Sequence, residues 1–194
     1  MEKSSIELLT DFAKKNNYSF SSNTQPNTSI ISNMGSLVNK KFFLLEYTVR
    51  GNTYNYVAFD GGANYTFSGI FRNYSNREIP ELKVRPKFWI DFLTFRHNAK
   101  SGISELDKKL FINCSKDSFV KQVVNQKVGL EFLKLYNKVS PIELVVEENS
   151  MHYNPKLTDK SIIGLKTNRW IIEEIELRLF LEQGSKLLNM IKKD

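Results

Sequence analysis

Residues 42–59 limit the possible folds most. Phe43, Leu45, Tyr47 and Val49 recur at every second position, and Arg50-Gly51-Asn52 then separates them from a second strand-like run at 53–59. A strand sends alternate side chains to opposite faces, so this spacing buries one face of a sheet. Gly51-Asn52 fits a two-residue hairpin turn, because glycine takes the positive φ of the first turn position without steric cost. The chain is thereby committed to antiparallel pairing.

Other segments extend the pattern. Gly61-Gly62 closes the second strand, residues 65–74 read as a third, and 82–95 read as extended, with Pro86 marking an edge or a break. Residues 19–39, rich in Ser, Asn and Thr with Pro26 and Gly35, read as a loop or an irregular edge segment. Ile6, Leu9 and Ala13, widened by Leu8 and Phe12, give a short amphipathic helix. Residues 110–113 form a short strand. Ser115 is placed as a helix N-cap, with Asp117 in the first turn where the helix dipole favours a carboxylate. Phe119, Val120, Val123 and Val124 make a buried stripe, and Asn125-Gln126 breaks the helix before Val128, Phe132, Leu133 and Tyr136 continue a second one. Pro141 opens a strand at 142–146, and Asn149-Ser150 leads to Met151-His152-Tyr153 as its hairpin partner.

Residues 170–191 carry two conflicting periods. Ile175, Leu177, Leu179 and Leu181 alternate with charged residues as a strand would, whereas the length and the Glu, Leu and Lys content favour a helix. The helix is preferred. Ile171, Ile172, Ile175 and Leu179 then form one stripe, and Trp170, Leu177, Leu181 and Leu188, with Phe180 and Leu187 beside them, form another. A helix apolar on two sides must bury both, either inside its own fold or with Trp170, Leu177 and Leu181 as a dimer or partner surface. The fold class that follows is α+β: mainly antiparallel sheet with hairpins, packed by a central helical segment and a long C-terminal helix. At 194 residues and 41% hydrophobic content, one globular domain over 1–194 is expected.

Charge and chemistry point to few functions. The net charge of +7 is spread over both halves without a block of like charge. The densest basic patch is Lys83, Arg85, Lys87, Arg96 and Lys100, interleaved with Phe88, Trp89, Phe92 and Phe95. Cations between aromatics could grip phosphates and stack bases. The same pattern arises when aromatics fill a core face and the cations stay in water, and that is the preferred explanation. The one cysteine, Cys114, excludes an internal disulfide and a cysteine-only zinc cluster. His97 and His152 are the only histidines, neither is spaced with carboxylates as a metal site, and Cys114 has no base near it in sequence. Gly61-Gly62 and Gly69 lack the spacing of a phosphate loop. No catalytic, cofactor-binding or metal-binding residue is nominated. No signal-peptide pattern and no long apolar run occurs, so a cytoplasmic protein is expected.

Phe67-Ser68-Gly69-Ile70-Phe71, then Leu106-Asp107-Lys108-Lys109-Leu110-Phe111-Ile112-Asn113, then helical residues 115–135 and the strand pair at 142–153 follow one another in order. This succession resembles an uncharacterised bacterial family, often membrane-associated and found alongside LemA-type proteins. It has a Phe-x-Gly-Leu-Phe element, a charged strand lead-in, a helix and a hairpin. The resemblance covers residues 40–155 and implies an α+β scaffold or interaction domain without catalytic residues. The chain departs from it in lacking transmembrane helices and in having Asn113-Cys114-Ser115-Lys116 where acidic residues are usual. The function expected is a non-enzymatic protein–protein interaction domain, such as an immunity or regulatory partner, or a homodimer. The alternatives are nucleic-acid binding through residues 83–100 and a hydrolase or transferase whose site carries no recognised motif.

Overall fold

The alternation at 42–59 is realised in a computed structural model, which describes residues 3–23, 41–61, 66–92, 98–151 and 154–193. β2 (Lys41–Val49) and β3 (Asn52–Asp60) pair antiparallel, with Val49 opposite Asn52. The turn is therefore Arg50-Gly51, one residue earlier than the sequence indicates. Both residues have positive φ, 53° and 78°, as a type I′ hairpin requires, and Asn52 is free to join the ladder.

β1 (Ser19–Asn23), β4 (Thr66–Ser75), β5 (Leu82–Pro86), β6 (Leu110–Cys114), β7 (Glu143–Glu148) and β8 (Ser161–Thr167) complete an eight-stranded antiparallel sheet in the order β1-β2-β3-β4-β8-β7-β5-β6. Among the described residues five α-helices accompany it: α1 (Ser5–Lys15), α2 (Ser104–Lys109), α3 (Asp117–Val123), α4 (Gln126–Tyr136) and α5 (Glu174–Leu188). The α+β architecture, with its long C-terminal helix, is thus as expected.

Three local expectations change. The partner of β7 is β8, reached after a long connection, and not residues 151–153; His152 and Tyr153 lie outside the described residues. Residues 104–109, read as a strand lead-in, are the helix α2, which buries Leu106. Ser115 is not an N-cap: α3 begins one residue later, after Lys116, and has no side-chain cap. Asp117 does sit in the first turn, and its Oδ1 accepts the Lys100 amide at 3.2 Å. α1 opens on a capping box between Ser4 and Glu7, and Asn125 caps the start of α4 by accepting the Val128 amide.

One face of the sheet carries the main core. Phe43, Leu45, Tyr54, Tyr56, Ile70, Val84, Ile112, Leu144, Ile163 and Leu165 meet Leu9, Phe12, Phe132, Leu177, Phe180 and Leu188 from the helices. Polar anchors set where α5 lies on this face. Tyr47 donates to Leu181 O, Tyr54 to Ser185 O and Tyr56 to Ile171 O, at 3.3, 3.3 and 2.9 Å. Arg72, 7% exposed, donates from Nη2 to Leu188 O and Ile191 O and so ties β4 to the C-terminal end of α5 and the residues just beyond it. The opposite face holds a smaller cluster of Leu44, Val57, Phe59, Phe67, Phe71, Val145 and Ile162, against which Met151 and Leu157 pack from the β7–β8 connection.

Burial pushes the hydroxyls of Tyr47 and Tyr56 above the ordinary tyrosine value. A raised folded value means that the folded state holds these protons more tightly. Their contribution is complete below the unfolded value near 10 and is lost as pH rises through the raised folded values. Each tyrosine should then remove about 1.4 kcal/mol of stability per pH unit in that range. Denaturant melts followed from pH 9 to 12 should show this decline, and the tyrosinate absorbance of both groups should rise together with unfolding. Gradual ionisation in a chain that stays folded would contradict the burial.

Candidate functional site

The residues offered by the sequence as a dimer or partner surface are mostly internal. Leu177 and Leu181 are buried in the main core, and Trp170 is half-buried with its Nε1 donating to Phe59 O at 3.1 Å. This corrects the expectation, because the stripe that carries them is the one turned to the sheet. The other stripe leaves Ile175 exposed, beside the surface pairs of Glu174 with Lys15 and Arg178.

The basic stretch is also differently arranged from a phosphate-gripping patch. Lys83 pairs with Glu143 at 3.5 Å, and Arg96 lies outside the described residues. Arg85 is committed to Asp91 in a two-pronged fork, Nη1 to Oδ2 at 2.6 Å and Nη2 to Oδ1 at 2.7 Å. Its guanidinium also lies over the rings of Phe88 and Phe111, 5.0 and 4.4 Å from their centroids; Phe111 is its cross-strand partner on β6. Asp91 raises the Arg85 pKa further, so this cation is permanently charged and already spent on a carboxylate.

The consequence of that fork is a pinned turn after β5. Asp91 Oδ2 accepts the Phe88 amide at 2.8 Å, and the Asp91 amide donates to Phe88 O at 3.0 Å. The short 3-10 helix Trp89–Phe92 grows from this lock. Just before it, the Lys87 amide donates to Lys109 O and the Lys87 ammonium to Asp107 O, which ties the turn to α2. Asp91 is almost entirely buried, with 3% of its side chain exposed, whereas Phe88, Trp89 and Ile90 are 46%, 74% and 50% exposed. A buried ionic lock therefore holds three consecutive apolar side chains in water. The sequence reading put the aromatics of this stretch on a core face; the structure puts Phe88 and Trp89 at the surface.

Around the base of the turn, Lys87, Lys100 and Lys108 line a shallow depression with Gly102, Ser104 and Asp107. Partial burial and the nearby Lys100 charge lower the Lys87 pKa. The Asp107 carboxylate is occupied by the amide and hydroxyl of Ser101, both at 2.8 Å. The neighbouring sheet edge is closed, since the Ala99 amide donates to Ile112 O and Asn98 Oδ1 accepts the Ile112 amide.

A second polar cleft, of about 380 Å³, opens at the end of α5 between Asn52, Asn55, Arg72, Lys156, Asn189 and Lys192. Three of its cations are engaged structurally: Arg72 with carbonyls at the end of α5, Lys193 with Asp159 at 2.9 Å and Lys156 with Glu46 at 3.8 Å. Cys114 is buried, and its thiol faces Lys116 O at 3.6 Å, a packing position. Among the described residues no group of three or more His, Cys, Asp or Glu side chains is arranged to hold a metal, and His97 lies outside them. No described helix is long and apolar enough to cross a membrane.

The fold and the turn together define an α+β protein built on one antiparallel sheet that displays an apolar tip. No protein-family model and no curated protein matches the chain. Among solved structures it is similar to the crystal structure of the mycobacterial trehalose monomycolate transport factor A, TtfA. The TM-score is 0.50 and the identity 11%, over 100% of this chain and 99% of that one. That likeness is one of fold.

Proposed function

We propose that this chain is a non-enzymatic interaction domain whose docking element is the 88–91 turn. The sequence reading expected a protein–protein interaction domain; we keep the non-enzymatic docking role without fixing the partner as a protein, and move its surface from Trp170, Leu177 and Leu181 to Phe88, Trp89 and Ile90. The observation that carries the proposal is the exposure of Trp89 on a turn held by the Arg85–Asp91 fork. A large aromatic left in water favours association, and a fold without a use for it would let the turn collapse onto the body. Here a buried carboxylate keeps the turn in place. A pre-positioned tip also loses little conformational freedom on docking, which strengthens binding.

Position-resolved photo-crosslinking in cells tests this. A photoreactive residue is placed in turn at 89, 8 and 175, the last two being exposed apolar positions elsewhere on the surface. Adducts should concentrate at 89, whether the captured mass is protein or lipid. Equal yields at 89 and 175, or none at 89, would overturn the proposal.

A further inference from the structure

The chemistry around the turn narrows what it docks on. Over residues 83–91 and 98–109 there are six Lys/Arg against three Asp/Glu. Of the three acids, Asp91 is locked to Arg85, Asp107 accepts from Ser101, and Glu105 pairs with Lys109 at 2.8 Å. Among the described residues neither Lys100 nor Lys108 has a carboxylate partner, and both are exposed. An apolar tip thus rises beside unpaired lysine charge.

Three features separate the possible occupants. Lysine is depleted at protein–protein interfaces, where arginine is favoured, and the arginine of this region described here is already committed to Asp91. Single-stranded nucleic acid stacks on successive aromatic faces, yet Ile90, one of the three exposed side chains of the tip, offers no such face. Trp beside Phe and Ile, with flanking lysines, is the combination that sits at a bilayer interface: the indole prefers the headgroup level, aliphatic groups enter the acyl region, and ammonium groups meet lipid phosphates.

We infer that the 88–91 turn is a membrane-docking element, which inserts Trp89 and Ile90 into the interface of an anionic bilayer while Lys100 and Lys108 face the headgroups. This rests on the docking role proposed above and names its partner surface. The tip is small, so the attachment is peripheral and reversible, and it needs both the apolar and the cationic part. Charge attraction of this kind weakens as salt shortens the Debye length from about 10 Å at 0.1 M to about 3 Å at 1 M.

The test uses the full chain with vesicles of phosphatidylcholine alone or mixed with phosphatidylglycerol, and reads co-sedimentation and tryptophan emission. Binding and a blue shift are expected with the anionic vesicles only, both declining at high salt. Trp89→Ser should abolish the shift, although Trp170 still emits, and weaken binding at least about tenfold. Replacing Lys100 and Lys108 by Gln should weaken it by about fivefold per lysine. Because Trp89, Lys100 and Lys108 are exposed, unchanged circular dichroism serves as the folding control. Absence of binding to anionic vesicles, binding indifferent to lipid charge, or full binding by Trp89→Ser would overturn the inference, as would displacement of vesicles by a single-stranded oligonucleotide. If vesicles fail while residue 89 crosslinks to a protein, the membrane assignment falls and the docking role stands.

Discussion

Asp91→Ala should release the turn and cost about 3 kcal/mol of stability, the lower end for removing one partner of a buried ion pair. The estimate sits at that end because Arg85 keeps 18% of its side chain exposed and can recover some hydration. The loss has two physical parts. Arg85 is left between the rings of Phe88 and Phe111 without its carboxylate, and the Phe88 amide loses its acceptor. Asp91→Asn keeps an acceptor of the same shape and should lose about half as much, since a neutral oxygen makes the weaker hydrogen bond. Chemical denaturation gives the stability change. The docking defect should be larger than the stability defect implies, because the folded variant no longer presents Trp89 in a fixed position. An unchanged melting midpoint would mean that the fork does not hold the turn.

Gly164→Val should be at least as damaging, at about 3 kcal/mol or more, the upper range for overpacking a core. Gly164 sits opposite Phe71 on β4, and the Phe71 ring lies over both Gly164 and Gly69. A Cβ at 164 would fall against Phe71 Cδ1 and 2.5 Å from Ile70 O, a backbone atom of the neighbouring strand that cannot move aside cheaply. The contrast is Gly51, where a Cβ meets nothing and only the positive φ of 78° resists substitution. Gly51→Ala should therefore cost about 1–2 kcal/mol, the penalty of a left-handed backbone for an L-residue. Equal midpoints for Gly164→Val and Gly51→Ala would contradict the role of Phe71 as a lid over a glycine floor.

The sequence carried much of the fold where residue type or burial alternates along a strand. The β2–β3 hairpin was legible because Phe43, Leu45 and Tyr47 alternate with less buried neighbours, and α5 was legible from its length and composition despite a strand-like alternation. β8 was missed for the complementary reason. Ser161-Ile162-Ile163-Gly164-Leu165 is buried on both faces at the centre of the sheet, so it shows no alternation. The shorter Met151-His152-Tyr153 run then stood in as the partner of β7.

The candidate site was harder to read. The stretch of cations and aromatics at 83–100 was visible, but its preferred reading buried the aromatics and freed the cations. The structure does the reverse for Arg85, Phe88 and Trp89 because β5 ends at Pro86 and Asp91 comes back beneath Arg85. A contact between residues six apart across a break in a strand leaves no periodic trace. Similarly, the stripe of Trp170, Leu177 and Leu181 was recognised as apolar, yet a helical projection alone does not say which stripe meets the sheet.

The account depends on an apolar turn being rigid while exposed, and amide hydrogen exchange of the free chain measures that directly. The amides of Lys87, Phe88 and Asp91 donate to Lys109 O, Asp91 Oδ2 and Phe88 O. All three should be protected in the unmodified chain, and in Asp91→Ala protection should vanish at Phe88 and residue 91 while Lys87 keeps its own. Exchange of Phe88 and Asp91 at unstructured rates in the unmodified chain would contradict it.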